Sequence, residues 1–158
     1  MRKTFSVILA LAAVACQYDP YSSEYTTAKP SSTEMSGAYS LDSESQALLR
    51  DRFKVDSPPA KLVLNLDHTF EITQVPSCWR KDSVCTSATE HARGNWTIAR
   101  DQEWWSVSLI CTEISGEQTE YGLAAKVRGD QPPRLIHFTI GDPDTGEALS
   151  FQKVGGAT

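Results

Sequence analysis

Period-two alternation constrains this chain more than any other feature. Over residues 61–75, Leu62, Leu64 and Leu66, then Phe70 and Ile72, alternate with Val63, Asn65, Asp67, Glu71 and Thr73. Successive side chains of a strand point to opposite faces, so each run offers one apolar face and suits a strand rather than a helix. A tight turn at Asp67-His68 joins the two runs into a hairpin. Residues 94–112 repeat the pattern, with Trp96, Ile98, Trp105, Val107, Leu109 and Cys111 on one face against Trp104, Ser106, Ser108 and Thr112. Tyr121, Leu123, Ala125 and Val127 alternate after a turn around Gly116, and Ile136, Phe138 and Ile140 after a turn at 130–133, leaving His137 on the outer face. Leu149 and Phe151 follow a turn at 141–146, where Pro143 suits a fixed φ and Gly146 a positive one.

Strands are therefore predicted to begin near Gly37, Lys61, Thr69, Gly94, Trp104, Thr119, Arg134 and Glu147, most of them joined by short turns and without a βαβ rhythm. The expected fold is all-β: an antiparallel eight-stranded meander closed into a barrel, or a curved sandwich, with one short helix near the N-terminus. Closure hides sheet edges. The helix is expected from Ser43, paired with Gln46 as a capping box, with Leu48, Leu49 and Phe53 on one face. Its natural place is across one open end, and Pro58-Pro59 terminates the region. The inward set is large (Tyr39, Leu62, Leu64, Leu66, Phe70, Ile72, Trp96, Ile98, Trp105, Leu109, Phe138 and Phe151), which predicts an interior filled by side chains rather than an empty one.

The N-terminus has a different grammar. Arg2 and Lys3 precede an apolar run over residues 5–15 that is broken only by Ser6. That run is too short to span a bilayer, which takes about twenty residues, and reads as an export signal. It stops at Ala13-Val14-Ala15-Cys16. The stop resembles the lipobox of bacterial lipoproteins, with Ala13 where that family usually has Leu. The resemblance implies cleavage before Cys16, acylation of Cys16 and attachment to a membrane through the acyl chains. The alternative is an ordinary signal cut near Ala13 or Ala15 that leaves Cys16 a thiol. Gln17 stands where an Asp resembles an inner-membrane retention signal, so the resemblance favours the outer membrane over the inner. Residues 17–36 are rich in Ser, Thr, Tyr and Pro with no apolar period, a linker composition. The expected organisation is signal peptide 1–15, lipidated cysteine and disordered tether 16–36, and barrel domain 37–158.

The order Gly-x-Tyr, helix, Leu-x-Leu-Asn-x-Asp-His-Thr-Phe, then Gly-Asn-Trp, resembles small lipocalin-like bacterial barrels over residues 37–154. It is a pattern of strand starts rather than a catalytic signature, and His68 takes the place of the usual turn glycine.

Residues 77–93 carry no period. Cys78 and Cys85 are expected to staple this loop as a disulfide in an oxidising compartment. A zinc set of Cys78, Cys85 and His91 lacks a fourth ligand and the usual spacing. Cys111 falls in register with the core, as a buried inert thiol, or else reaches Cys78 or Cys85. Trp79, Arg80 and Lys81 are the candidate partner-contact surface, as the one place where an exposed aromatic meets basic side chains. Asp142 and Asp144 lack the EF-hand pattern and read as turn formers, and His68 as a solvated turn residue.

Net charge is −5, with no basic cluster, which argues against nucleic acid and against electrostatic binding to anionic lipid. No Gly-x-Ser-x-Gly elbow, His-Glu-x-x-His or phosphate-binding glycine loop occurs, so the chain is expected to be non-catalytic, with no cofactor and no metal. Three functions fit: an envelope binding module that meets another protein through its loops, an inhibitor or immunity lipoprotein against a foreign wall- or membrane-degrading enzyme, or a carrier of a small apolar ligand. A cavity above about 300 Å3 favours the carrier.

Overall fold

The computed structural model describes residues 19–56, 59–80 and 83–155. Cys16, Lys81 and the export signal lie outside them. Eight strands, β1 (Gly37–Leu41), β2 (Lys61–Leu64), β3 (Thr69–Pro76), β4 (Thr89–Asp101), β5 (Trp104–Ile114), β6 (Glu117–Arg128), β7 (Leu135–Thr139) and β8 (Ala148–Lys153), close into an antiparallel meander barrel, β8 pairing with β1. The predicted alternation sets the register. Leu62 faces Ile72, Leu64 faces Phe70, Ile136 faces Phe151 and Phe138 faces Leu149, and all eight are buried in one cluster with Tyr39, Trp96, Val107, Leu109 and Val127. At about 25 cal/mol per Å2 of apolar area, each such side chain contributes about 2 kcal/mol.

Leu66 departs from the expected inward set and is 65% exposed. The β2–β3 ladder ends at Leu64–Phe70, and residues 65–68 form the turn, where His68 adopts a φ of +66°. Ile98 and Trp105 sit nearer the rim and are half-buried. The Trp105 indole donates to the Thr27 carbonyl at 3.1 Å. Gly94 is required by space: β4 and β5 change register there, and a Cβ would stand 2.0 Å from the Ile110 carbonyl oxygen.

The helix forms one residue from its expected cap. α2 (Ser43–Asp51) is capped by Asp42, which accepts from the Ser45 amide at 2.7 Å, while Gln46 reaches the Leu41 carbonyl instead of closing a box. Leu49 enters the core.

The segment before β1 is not a tether where it is described. Residues 19–36, including the four-residue helix α1 (Ser32–Met35), lie along the barrel, with Tyr25, Thr26 and Met35 buried. The Thr26 amide donates to the Val127 carbonyl at 2.9 Å, and the Gly129 amide to the Glu24 carbonyl at 3.0 Å. Residues 19–36 dock despite their linker-like composition because a few anchoring side chains suffice: Tyr21, Tyr25 and Met35 find apolar and aromatic surface, and Ser31 with Glu34 closes a capping box on α1. No helix among the described residues is long and apolar enough to cross a membrane.

Candidate functional site

β6 and β7 part company midway. Lys126, Val127 and Arg128 pair with His137, Ile136 and Leu135, and there the ladder stops. Beyond it β6 continues toward its N-terminal end, hydrogen-bonded to β5 from Ser106–Lys126 to Ile114–Glu117. β7 turns the other way to stay with β8 through Phe138–Leu149 and Thr139–Ala148. Strand length dictates the split, because a five-residue strand cannot pair along a twelve-residue one. Among the described residues, positions 122–125 of β6 have a ladder on the β5 side and no strand on the other.

A cavity of about 760 Å3 opens at this seam. Trp79, Leu123 and Phe138 form its apolar wall, Gly122 and Ala124 line the β6 edge, and Gly141, Asp142 and Pro143 make the facing lip. Lys126 also reaches the cavity, but its ammonium is ion-paired with Asp101 and lies 5.1 Å from the Trp104 ring centre. Asp142 is exposed on the facing lip, and Glu120 is exposed on β6 immediately before the cavity-lining Tyr121 and Gly122. The barrel interior is otherwise filled, as its large inward set implies.

The loop after β3 supplies one wall. Cys78 and Cys85 form the disulfide, with Cα atoms 4.5 Å apart. Trp79, expected as an exposed partner contact, is 1% exposed. Its indole donates to Glu90 Oε2 at 2.8 Å and its ring meets Phe138 edge-on at 6.3 Å. Arg80 is engaged too, donating through Nε at 2.9 Å and through its terminal nitrogen at 2.6 Å to the two oxygens of Glu90. The bidentate pair and the disulfide turn the tryptophan inward, where it closes the barrel and walls the cavity. Cys111 remains a free thiol, buried among core residues, and burial raises its pKa to about 11.

His137 borders the cavity and was expected on an open outer face. It is on the outer face of β7 but is covered by the N-terminal segment. Tyr21 stacks edge-on to it at 4.6 Å, Tyr25 lies 5.7 Å away, and Nδ1 is 2.9 Å from Ser150 Oγ. Burial, and then the neighbouring Arg128 guanidinium, lower its pKa to about 4, against a smaller opposing effect of Asp19. Arg128 is ion-paired with Glu24. Tyr25 donates to Asp19 at 2.8 Å, and burial raises its hydroxyl well above the ordinary range. Among the described residues no three His, Cys, Asp or Glu side chains gather as a metal site.

The seam was missed at the level of sequence because it is a property of pairing and not of any residue type. The accessible signal was the mismatch between the long alternating run ending at Val127 and the short one centred on Phe138. Comparison with known proteins finds no matching family model, no matching curated protein and no matching solved structure.

Proposed function

We propose that this chain is a non-catalytic binding module of the bacterial envelope, held by acyl chains on Cys16 to the outer rather than the inner membrane, and that it meets its partner at the β6–β7 seam. The observation that carries the recognition site is the cavity where the barrel wall opens, with apolar side chains on one wall and exposed strand backbone beside it. Such a combination of apolar depth and a few directional polar groups is what recognition sites share. The anchor rests on the lipobox-like run ending at Cys16.

Two measurements test the two halves. Intact mass of the protein from host membranes should show a chain beginning at Cys16 with added acyl mass, and Cys16→Ala should abolish that mass. An unmodified chain cut elsewhere overturns the anchor. A photoreactive residue placed at Ala124 in living cells should form a discrete adduct with an envelope protein, while the same residue at the exposed Glu71 of β3 should not. Equal labelling at both positions overturns the seam.

A second reading has its own support. The cavity volume is within the range of small-molecule sites and its wall is aromatic, as a carrier of a small apolar ligand requires. Saturable binding of the neutral dye N-phenyl-1-naphthylamine, lost in Ala124→Phe, would favour it.

A further inference from the structure

The geometry points to an occupant of one kind. We propose that the open edge of β6 takes up an extended segment of a partner polypeptide, which adds beside residues 122–125 as an extra strand, sets an apolar side chain against Trp79, Leu123 and Phe138, and carries lysine or arginine toward Glu120 and Asp142. This rests on the reading of the seam as the recognition site.

Three observations converge. The first is the edge itself. Along one side of a strand, roughly every second residue presents an N–H and a C=O, spaced for another strand and for little else. Residues 122–125 present that side toward the cavity rather than toward β7.

The second is Gly122. A glycine inside a strand weakens it unless a backbone must pass close by. The fold itself does not demand one here: a Cβ would meet only the Ile110 side chain, at 3.4 Å, and the residue has no left-handed φ. With Ala124 two positions on, the outer face of this edge is kept low where an added strand would lie.

The third is charge. Asp142 lines the mouth, the exposed Glu120 immediately precedes the cavity-lining Tyr121 on β6, Lys126 is held by Asp101, and the chain as a whole carries −5. A second copy would bring the same carboxylates and the same net charge against themselves, and like charges on neighbouring strands repel. A small apolar molecule would fill the wall but leave the edge unused. A basic, extended segment with an apolar residue at every second position satisfies edge, wall and lip together.

The test is selection of a random nine-residue peptide library displayed on phage against the full mature chain, with Ala124→Phe as the counter-selecting protein. Expected are peptides in which Lys or Arg alternates with apolar residues, binding wild type at least tenfold tighter than Ala124→Phe. Methylation of alternate backbone nitrogens in a selected peptide should weaken binding to the unaltered protein by at least tenfold, because it removes the ladder and leaves every side chain. Glu120→Lys with Asp142→Lys should shift the selected sequences from basic to acidic. The methylated peptide keeps the test decisive even if Ala124→Phe unfolds. Equal binding of the methylated peptide overturns strand addition. Selection of no peptide alongside saturable N-phenyl-1-naphthylamine binding overturns strand addition and leaves the seam as a small-ligand site. Failure of both probes overturns the seam as well. A dimer in sedimentation equilibrium that Ala124→Phe dissociates overturns the partner in favour of a second copy.

Discussion

Gly94 shows how one position can carry a fold. Its missing side chain lets β4 and β5 cross a register shift, from Arg93–Glu113 to Gly94–Cys111, with the Ile110 carbonyl filling the space. Two residues later Trp96 uses that geometry: its amide donates to the His68 carbonyl at 2.8 Å and its indole to the Asn65 carbonyl at 2.9 Å. The Gly-Asn-Trp run is thus a joint between the β4–β5 hairpin and the β2–β3 turn. Gly94→Ala must displace backbone and should cost about 3 kcal/mol, measured from urea unfolding midpoints with unchanged slope. A cost below about 0.5 kcal/mol would show that the joint yields. Cys111 makes the opposite kind of statement. Buried and with its thiol raised to about 11, it should resist alkylation at pH 8 in the folded chain and react only on unfolding.

At the scale of elements, the N-terminal segment is held to the barrel partly through a neutral histidine. His137 faces Arg128 of β6, Ser150 of β8 and Tyr21, Tyr25 and Asp19 of the segment, with Glu24 pairing Arg128 behind it. Its folded pKa of about 4 is below the ordinary 6.5, so the unfolded chain takes up the proton first. The stabilisation is complete above pH 6.5 and declines as pH falls through 6.5 toward 4, by about 3 kcal/mol in all. Between pH 7 and pH 4 the wild type should therefore lose about that much more stability than His137→Gln, in paired denaturation curves. Equal losses would show that the imidazole titrates normally. The disulfide belongs to the same scale. Replacing both Cys78 and Cys85, seven residues apart, should cost about 2.5 kcal/mol from the loop entropy alone. It should also change Trp79 fluorescence, because the loop positions that wall of the cavity.

Most elements were legible because alternation and turn chemistry are local. Every strand start lies within about five residues of its expected position, and the Cys78–Cys85 pairing follows the spacing. What escaped was relational. The burial of Trp79 depends on Glu90, eleven residues on, and the docking of Tyr25 depends on the surface that β6 and β7 present. The seam depends on two strand lengths compared across a turn, which no single run of residues encodes.

For the whole molecule, the described residues form a closed barrel whose wall opens into a cavity at the β6–β7 seam. Every strand pairs with both of its neighbours, from β1 with β8 through β5 with β6, and among the described residues strand backbone without a partner strand on one side remains along β6 at the seam and along β4 beyond Asn95. That arrangement tolerates exposed backbone because acidic side chains at the mouth disfavour pairing of one copy with another.

The docked N-terminal segment also sets an altitude. Three peptide units separate Cys16 from Asp19, a span of about 11 Å at full extension, and Asp19 already acts on His137 beside the cavity. A chain anchored at Cys16 would hold its seam close over the lipid headgroups, and its partner would have to present an extended segment at that height. Inserting twenty Gly and Ser residues after Gln17 should leave the folded barrel and its peptide affinity unchanged while reducing photo-adducts at Ala124 in cells. If adducts persist undiminished, the partner is reached from the aqueous side. With Cys16 acylated as proposed, so short a connection would make membrane position part of the recognition code, excluding soluble proteins that carry the right sequence at the wrong distance.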